Sequence, residues 1–277
     1  MHYCSDELDR LICEDMPYFD LTTTLLDIRN DGIIEFKSRR DTILSGNELV
    51  SLLAKRVNLE VVTQKRNGEL VKASEVFFKA TGKAPDILTL WKVAQNIFEY
   101  ACGVAQYAQA MVKSAKAINP HIEILTTRKI IPFTKKVALQ AIMDAGAYPH
   151  RITTSETILV FENYIELYGG WKKFLKEFEN LRSKSVEKKW IVETKDYKTA
   201  QKFIDIGIDV LQLDKVDTTT TKKIVSYAKK RGIKVISAGG INLSNIKEYA
   251  STGTDAIVTT SAYYAKSADI KVVIKRA

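Results

Sequence analysis

Between residues 122 and 258, short runs of β-branched and apolar residues alternate with segments of helical periodicity. The runs lie at 122–125, 158–161, 190–193, 209–213, 234–237 and 255–258. Helices are predicted between them, over 135–145, 170–184, 197–206, 218–231 and 243–252. Strands joined by segments of this length are parallel, because a parallel pair cannot be closed by a tight turn and needs a crossover of about a dozen residues. A doubly wound sheet binding a dinucleotide would carry a Gly-x-Gly-x-x-Gly turn after its first strand. None is present, so the pattern is read as a parallel α/β barrel.

The preceding segment has a different texture. Ile33-Ile34-Glu35-Phe36 and Leu59-Glu60-Val61-Val62 are strand-like, with a helix expected over 47–55, a mixture typical of an α+β unit. A long helix follows Pro85, with Asp86 as its expected N-cap and Leu90, Val93, Ala94, Ile97, Phe98 and Ala101 on one face. Gly103 is read as a site of close helix packing, and Asn119-Pro120 ends the pattern. Two domains are expected, 1–105 and 106–277, with a return of the last residues to the first domain left open.

With 277 residues, 45% of them hydrophobic, the chain can bury a sizeable core. No run approaches the roughly 20 apolar residues of a membrane span. The first residues lack the basic and apolar regions of a secretory signal. Cys4, Cys13 and Cys102 are too few and scattered for a disulfide framework. A reducing, cytoplasmic location is expected, with no membrane partner. The net charge of +9 fits an anionic ligand, or simply lysine-rich solvated helix faces. No nucleic-acid module or stripe of aromatic and basic residues is visible, so nucleic acid is not an expected partner.

In parallel α/β folds, ligands meet the loops at the carboxyl ends of strands, where this chain collects polar residues. The first strand runs into Thr126-Thr127-Arg128-Lys129, the third into Glu193, the fourth into Asp214-Lys215 and the fifth into Ala238-Gly239-Gly240; His150-Arg151 precedes the second. Singly, each has a structural reading. Glu193 or Asp214 can cap a helix, Arg128-Lys129 can be a solvated turn, and His150 can be a core or interface residue. Together they offer two carboxylates for hydrated Mg²⁺ or a developing cation, and basic groups for anions. The two glycines would let a phosphate reach backbone N–H groups at a helix N-terminus, with Asn242 or Ser244 as cap. The residues alone reach a barrel binding a phosphorylated, anionic ligand, without choosing the reaction.

The ordered string Glu14-Asp15-Met16-Pro17-Tyr18-Phe19-Asp20-Leu21-Thr22-Thr23, then Thr127-Arg128-Lys129, His150-Arg151, Glu193, Leu213-Asp214 and Gly239-Gly240-Ile241 resembles the quinolinate (nicotinate-nucleotide) phosphoribosyltransferase family over nearly the whole chain. The resemblance implies an N-terminal α/β sandwich domain, an open α/β barrel and a homodimer with its active site between domains of two subunits. It implies that an acid displaces pyrophosphate from phosphoribosyl pyrophosphate with Mg²⁺; in the family, quinolinate then loses CO₂ to give nicotinate mononucleotide. By the same resemblance Arg128, His150 and Arg151 would hold the acceptor's carboxylates. Lys129 would contact substrate or phosphoribosyl groups, and Glu193 and Asp214 would face ribose and Mg²⁺. Ala238, Gly239, Gly240, Thr259 and Thr260 would form the phosphate site.

Five positions depart from the family pattern. Lys92 stands where the family has an arginine, Phe161 where it has a lysine and Ala238 where it has a serine, while Thr260 and Tyr264 replace a glycine and a histidine. The segments Ser155-Glu156-Thr157-Ile158-Leu159-Val160-Phe161 and Val258-Thr259-Thr260-Ser261-Ala262-Tyr263-Tyr264-Ala265 are similar to the family's ModD branch, whose genes accompany molybdate transport. The implied function is phosphoribosyl transfer to an anionic, pyridine-carboxylate-like acceptor. The alternative is a binding protein of molybdate physiology that kept the barrel without turnover.

Overall fold

A computed structural model describes residues 1–277. The chain divides into one unit of Met1–Gln109, Ile131–Gly146 and Tyr263–Ala277, and another of Ala110–Ile130 and Ala147–Ala262. In chain order the elements up to residue 116 are α1 (Ser5–Asp15), α2 (Leu21–Leu25), β1 (Asp31–Ser38), β2 (Thr42–Ile43), α3 (Asn47–Arg56), β3 (Glu60–Gln64), β4 (Leu70–Val71), β5 (Val76–Lys83) and α4 (Ala84–Lys116). There follow β6 (Glu123–Thr126), α5 (Lys135–Asp144), β7 (Tyr148–Pro149), β8 (Ile158–Val160), α6 (Glu162–Tyr168), α7 (Trp171–Ser183), β9 (Trp190–Thr194), α8 (Tyr197–Asp205) and β10 (Val210–Asp214). The last are α9 (Thr218–Lys229), β11 (Lys234–Ala238), α10 (Ile246–Ala250), β12 (Ala256–Thr259), a 3₁₀ turn at Ser261–Tyr264 and β13 (Ile270–Arg276).

The first unit is built on an antiparallel sheet of order β13-β1-β5-β3. Along β1 the alternate residues Ile34, Phe36 and Ser38 are buried, the period-2 pattern of a strand with one covered face. Phe36 meets Phe98 of α4 at 5.1 Å between centroids, and Phe77 meets the same ring edge-on at 4.9 Å. Such pairs contribute about 0.5–1.5 kcal/mol beyond area burial. The chain passes from β5 into α4 without a break, the Ala84 N–H donating to Asn30 O at 2.9 Å. Asp86 therefore sits in the first turn of α4 and is not the expected N-cap, since Pro85 is tolerated in a first turn where no intrahelical N–H is required. Gly103 does lie at a close approach: a Cβ there would stand 2.5 Å from Lys266 O and 3.0 Å from Ser267 Cα.

The second unit carries a seven-stranded parallel sheet of order β7-β6-β12-β11-β10-β9-β8. Its two end strands do not pair with each other, so the barrel is open. Six of the seven strands are those expected. β7 is two residues long and contains Pro149, which lacks an N–H and is tolerated at a sheet edge. Residues of β8 to β12 that point inward, among them Leu159, Ile191, Val210, Ile236 and Val258, form an apolar floor. Helices α7, α8 and α9 cover the outside through Phe174, Phe178, Phe203, Ile204, Ile224 and Val225. No helix is long and apolar enough to cross a membrane.

Candidate active site

Above the apolar floor, at the carboxyl ends of the strands, lies a cavity of about 430 Å³ lined by residues of every strand-end segment singled out from the sequence. The parallel register causes this convergence. Asp214 pairs with Ala238 and Gln212 with Glu193, so alternate residues of neighbouring strands reach the same level inside the barrel. Val210, Gln212 and Asp214 are successive inward residues of β10, which places Gln212 one layer below Asp214.

One wall is basic. Arg128 and Lys129 follow β6 and are exposed; Arg151 follows β7 and is buried. Burial and the nearby charge of Arg128 both act against the Arg151 cation, yet a guanidinium stays protonated in proteins. Its Nη1 makes one long contact, donating to Thr157 O at 3.5 Å. Two neighbouring guanidinium groups, one desolvated, form a site that an anion stabilises. His150 also lines the cavity, but burial and the Arg151 charge push its pKa down to about 4. It is neutral at neutral pH, with Nε2 buried and unpaired. It offers a hydrogen bond rather than a charge.

The opposite wall is acidic. Glu193 is half-buried and accepts from Gln212 Nε2 at 2.6 Å. Burial, then the like charge of Asp214, raises the Glu193 carboxyl above its ordinary range, against Gln212 and the ammonium groups of Lys195 and Lys129. A carboxylate whose ionisation is opposed by a neighbouring carboxylate suits a cation placed between them. No cluster of three or more His, Cys, Asp or Glu side chains is present. A pair of carboxylates matches the requirement of Mg²⁺, which keeps several waters and completes its shell with substrate oxygens.

Between these walls the chain turns through Gly239 and Gly240, at φ +87° and +74°. A Cβ on Gly239 would lie 2.5 Å from Asp214 Oδ1 and 2.7 Å from the Lys215 backbone N, so glycine there lets β10 and the turn close on each other. Gly240 faces open space. No hydrogen bond occupies the N–H groups of Gly239, Gly240 and Ile241, while Asn245 Nδ2 holds the Gly240 carbonyl at 3.2 Å. The helix expected over 243–252 starts only at Ile246 and spans five residues. Asn242 is not its cap: its Oδ1 accepts from Ser244 N at 2.9 Å and from Ser244 Oγ at 2.6 Å, a local turn that delays the helix. What the turn could offer an anion is its free loop amides rather than a helix N-terminus. Thr260 Oγ1 meets Thr127 Oγ1 at 2.8 Å, tying β12 to β6 beside the turn, and buried Thr259 donates to Ile241 O at 2.6 Å.

The cavity thus gathers Arg128, Lys129, His150, Arg151, Phe161, Glu193, Asp214, Ala238, Gly239, Gly240, Thr259 and Thr260. Lys92 belongs to the first unit, exposed on α4 with Nζ 4.2 Å from the centre of the Trp91 ring, and is not among the lining residues. Phe161 stacks on Tyr164, centroids 6.2 Å apart and planes 20° from parallel. Sequence reasoning missed Gln212 among the lining residues. Gln212 is a lone polar residue in a buried strand, two positions before a strand-end acid, which was the available signal. Lys215, whose backbone is left-handed (φ +56°), lines the cavity beside Asp214.

Models of the quinolinate phosphoribosyl transferase N-terminal and C-terminal domains match residues 20–102 and 104–273. Among named proteins, the chain is 33% identical to "Putative pyrophosphorylase ModD" of Pasteurella multocida, covering 100% of this chain and 99% of that one. It is 34% identical to the protein of the same name from Escherichia coli O157:H7, covering 98% and 96%. The fold is similar to that of nicotinate-nucleotide pyrophosphorylase from Francisella tularensis, with TM-score 0.88 and 23% identity over 99% and 98% of the two chains. It is likewise similar to NadC from Streptococcus pyogenes, with TM-score 0.89 and 20% identity over 98% and 96%. With both domain models matched in order and ModD relatives aligned end to end, the chain belongs to the quinolinate phosphoribosyltransferase family.

Proposed function

We propose that the chain transfers the phosphoribosyl group of phosphoribosyl pyrophosphate to an anionic, pyridine-carboxylate-like acceptor, releasing pyrophosphate. The observation that carries this reading is the single cavity in which free loop amides, two guanidinium groups and two carboxylates face one another. The amides of Gly239, Gly240 and Ile241 would take the 5′-phosphate, and Arg128 and Arg151 the acceptor's carboxylate. Phe161 would offer a ring face. As the acceptor nitrogen bonds to C1 of the ribose, the bond from C1 to the pyrophosphate oxygen breaks, and positive charge develops on the sugar. Glu193 and Asp214 stabilise that charge, and Lys129 the leaving group. Glu193 and Asp214 would also hold Mg²⁺, which neutralises charge on the pyrophosphate. The reaction is tested by pyrophosphate release from phosphoribosyl pyrophosphate with a panel of pyridine carboxylates. Release dependent on one of them is expected; release with none contradicts the reading.

Quinolinate is expected to be a poor acceptor. It brings two adjacent carboxylates, and an apolar ring at Phe161 leaves part of that dianion without a cation. An unpaired buried charge costs at least a few kcal/mol. At about 1.4 kcal/mol per tenfold, kcat/KM for nicotinate mononucleotide formation should lie about two orders of magnitude below that of a family member with lysine there. Phe161→Lys should recover part of it; a wild-type value within about tenfold of such an enzyme contradicts the expectation.

The reading includes a homodimer. Tyr18, Phe19, Leu21, Leu25 and Leu26 are all exposed on one short segment around α2, a density of apolar surface that marks an interaction site.

A further inference from the structure

We infer that Gln212 binds ligand directly, its side-chain oxygen accepting a hydrogen bond from an O–H or N–H of the molecule in the cavity. Gln212 is 4% exposed and lines the cavity from β10. Its Nε2 donates to Glu193 Oε2 at 2.6 Å. An ionised carboxylate can only accept, so this contact fixes which end of the amide faces Glu193. Oε1 is left on the other side, shielded from solvent and without a partner. Buried amide oxygens are almost always paired, and an unpaired one costs stability. Val210, Leu211 and Leu213 beside it are apolar and buried, so the polar residue is not demanded by packing. The amide is therefore oriented in advance by Glu193, and its oxygen is a fixed acceptor at the floor of the cavity.

A ligand that fills this place carries a hydrogen-bond donor. Given the proposed function, on which this inference rests, the donor has two sources: a sugar hydroxyl of the phosphoribosyl group, or an amino or hydroxyl substituent of the acceptor. A ligand without one would leave the Gln212 oxygen buried and unpaired, and sites built to pair a polar group reject such analogues strongly.

The test compares matched ligands by calorimetry on the full chain and on Gln212→Met, which has similar length and no amide oxygen. One arm uses ribose 5-phosphate and 2-deoxyribose 5-phosphate. The other uses nicotinate against 2-amino- and 6-aminonicotinate. In one arm the wild type should favour the donor-bearing ligand by about tenfold or more, and the preference should largely vanish in the variant. Loss of preference in the sugar arm assigns the sugar hydroxyl, and in the pyridine arm the acceptor. No preference in either arm, or a preference that survives in Gln212→Met, overturns the inference. Should the variant not melt cooperatively, the wild-type comparisons alone decide: absence of discrimination in both arms overturns it. Phosphoribosyl pyrophosphate with Mg²⁺ is titrated in parallel. Its failure to bind the wild type would contradict the proposed function, whereas the matched pairs report on Gln212.

Discussion

At the scale of single residues, the cavity rests on two devices that substitution can separate. Gly239 keeps a positive φ and admits the Asp214 carboxylate to within contact. Gly239→Ala should destabilise the chain by about 1–3 kcal/mol through strain and displace Asp214. Its denaturation midpoint should fall, and any Mg²⁺-dependent binding should fall with it; unchanged stability would show the turn to be compliant. His150 reports on burial. Its pKa of about 4, against an ordinary value of 6.5, means the folded state resists protonation that the unfolded state accepts. Stability is therefore full above pH 6.5 and declines as pH falls toward 4. Between pH 7 and 5 the contribution should be about 1–2 kcal/mol, measured by urea unfolding and reduced in His150→Gln; equal pH dependence in both proteins would contradict the burial. The strand-end residues of the cavity were legible because parallel strands deliver alternate side chains to one place. Gln212 was not: an amide inside an apolar run reads as filler.

At the scale of elements, the barrel strands were readable from continuous apolar runs, and the elements missed share a weakness of signal. β5 ends in Thr81-Gly82-Lys83, yet it lies between β1 and β3 because Phe77, Phe78 and Ala80 are buried. β13, with lysine at 271 and 275, reads as a polar tail, but Ile270 is buried and the strand pairs with β1 from Gly32 to Ser38. α10 was read too long because its periodicity begins within a turn that Asn242 holds. Tertiary pairing decided the two strands, and a local turn decided the helix. Gly103 gives a direct check: Gly103→Ala places a methyl 2.5 Å from Lys266 O. Although alanine is the better helix former by about 1 kcal/mol, the variant should melt at lower temperature than the wild type; a higher midpoint would show that the approach can relax.

At the scale of the whole molecule, the proposed dimer is checked by light scattering, which should give twice the chain's 31.2 kDa. Phe19→Asp with Leu25→Asp should halve it; a monomeric wild type would remove the dimer from the account. The central claim concerns the cavity's two walls and the glycine turn between them, and calorimetry with phosphoribosyl pyrophosphate, with and without Mg²⁺, addresses it most directly. The paired carboxylates of Glu193 and Asp214 repel the pyrophosphate unless a cation lies between. Binding is therefore expected with Mg²⁺, weaker by about tenfold or more without it. Equal affinity in the two buffers, or no binding in either, would contradict the account.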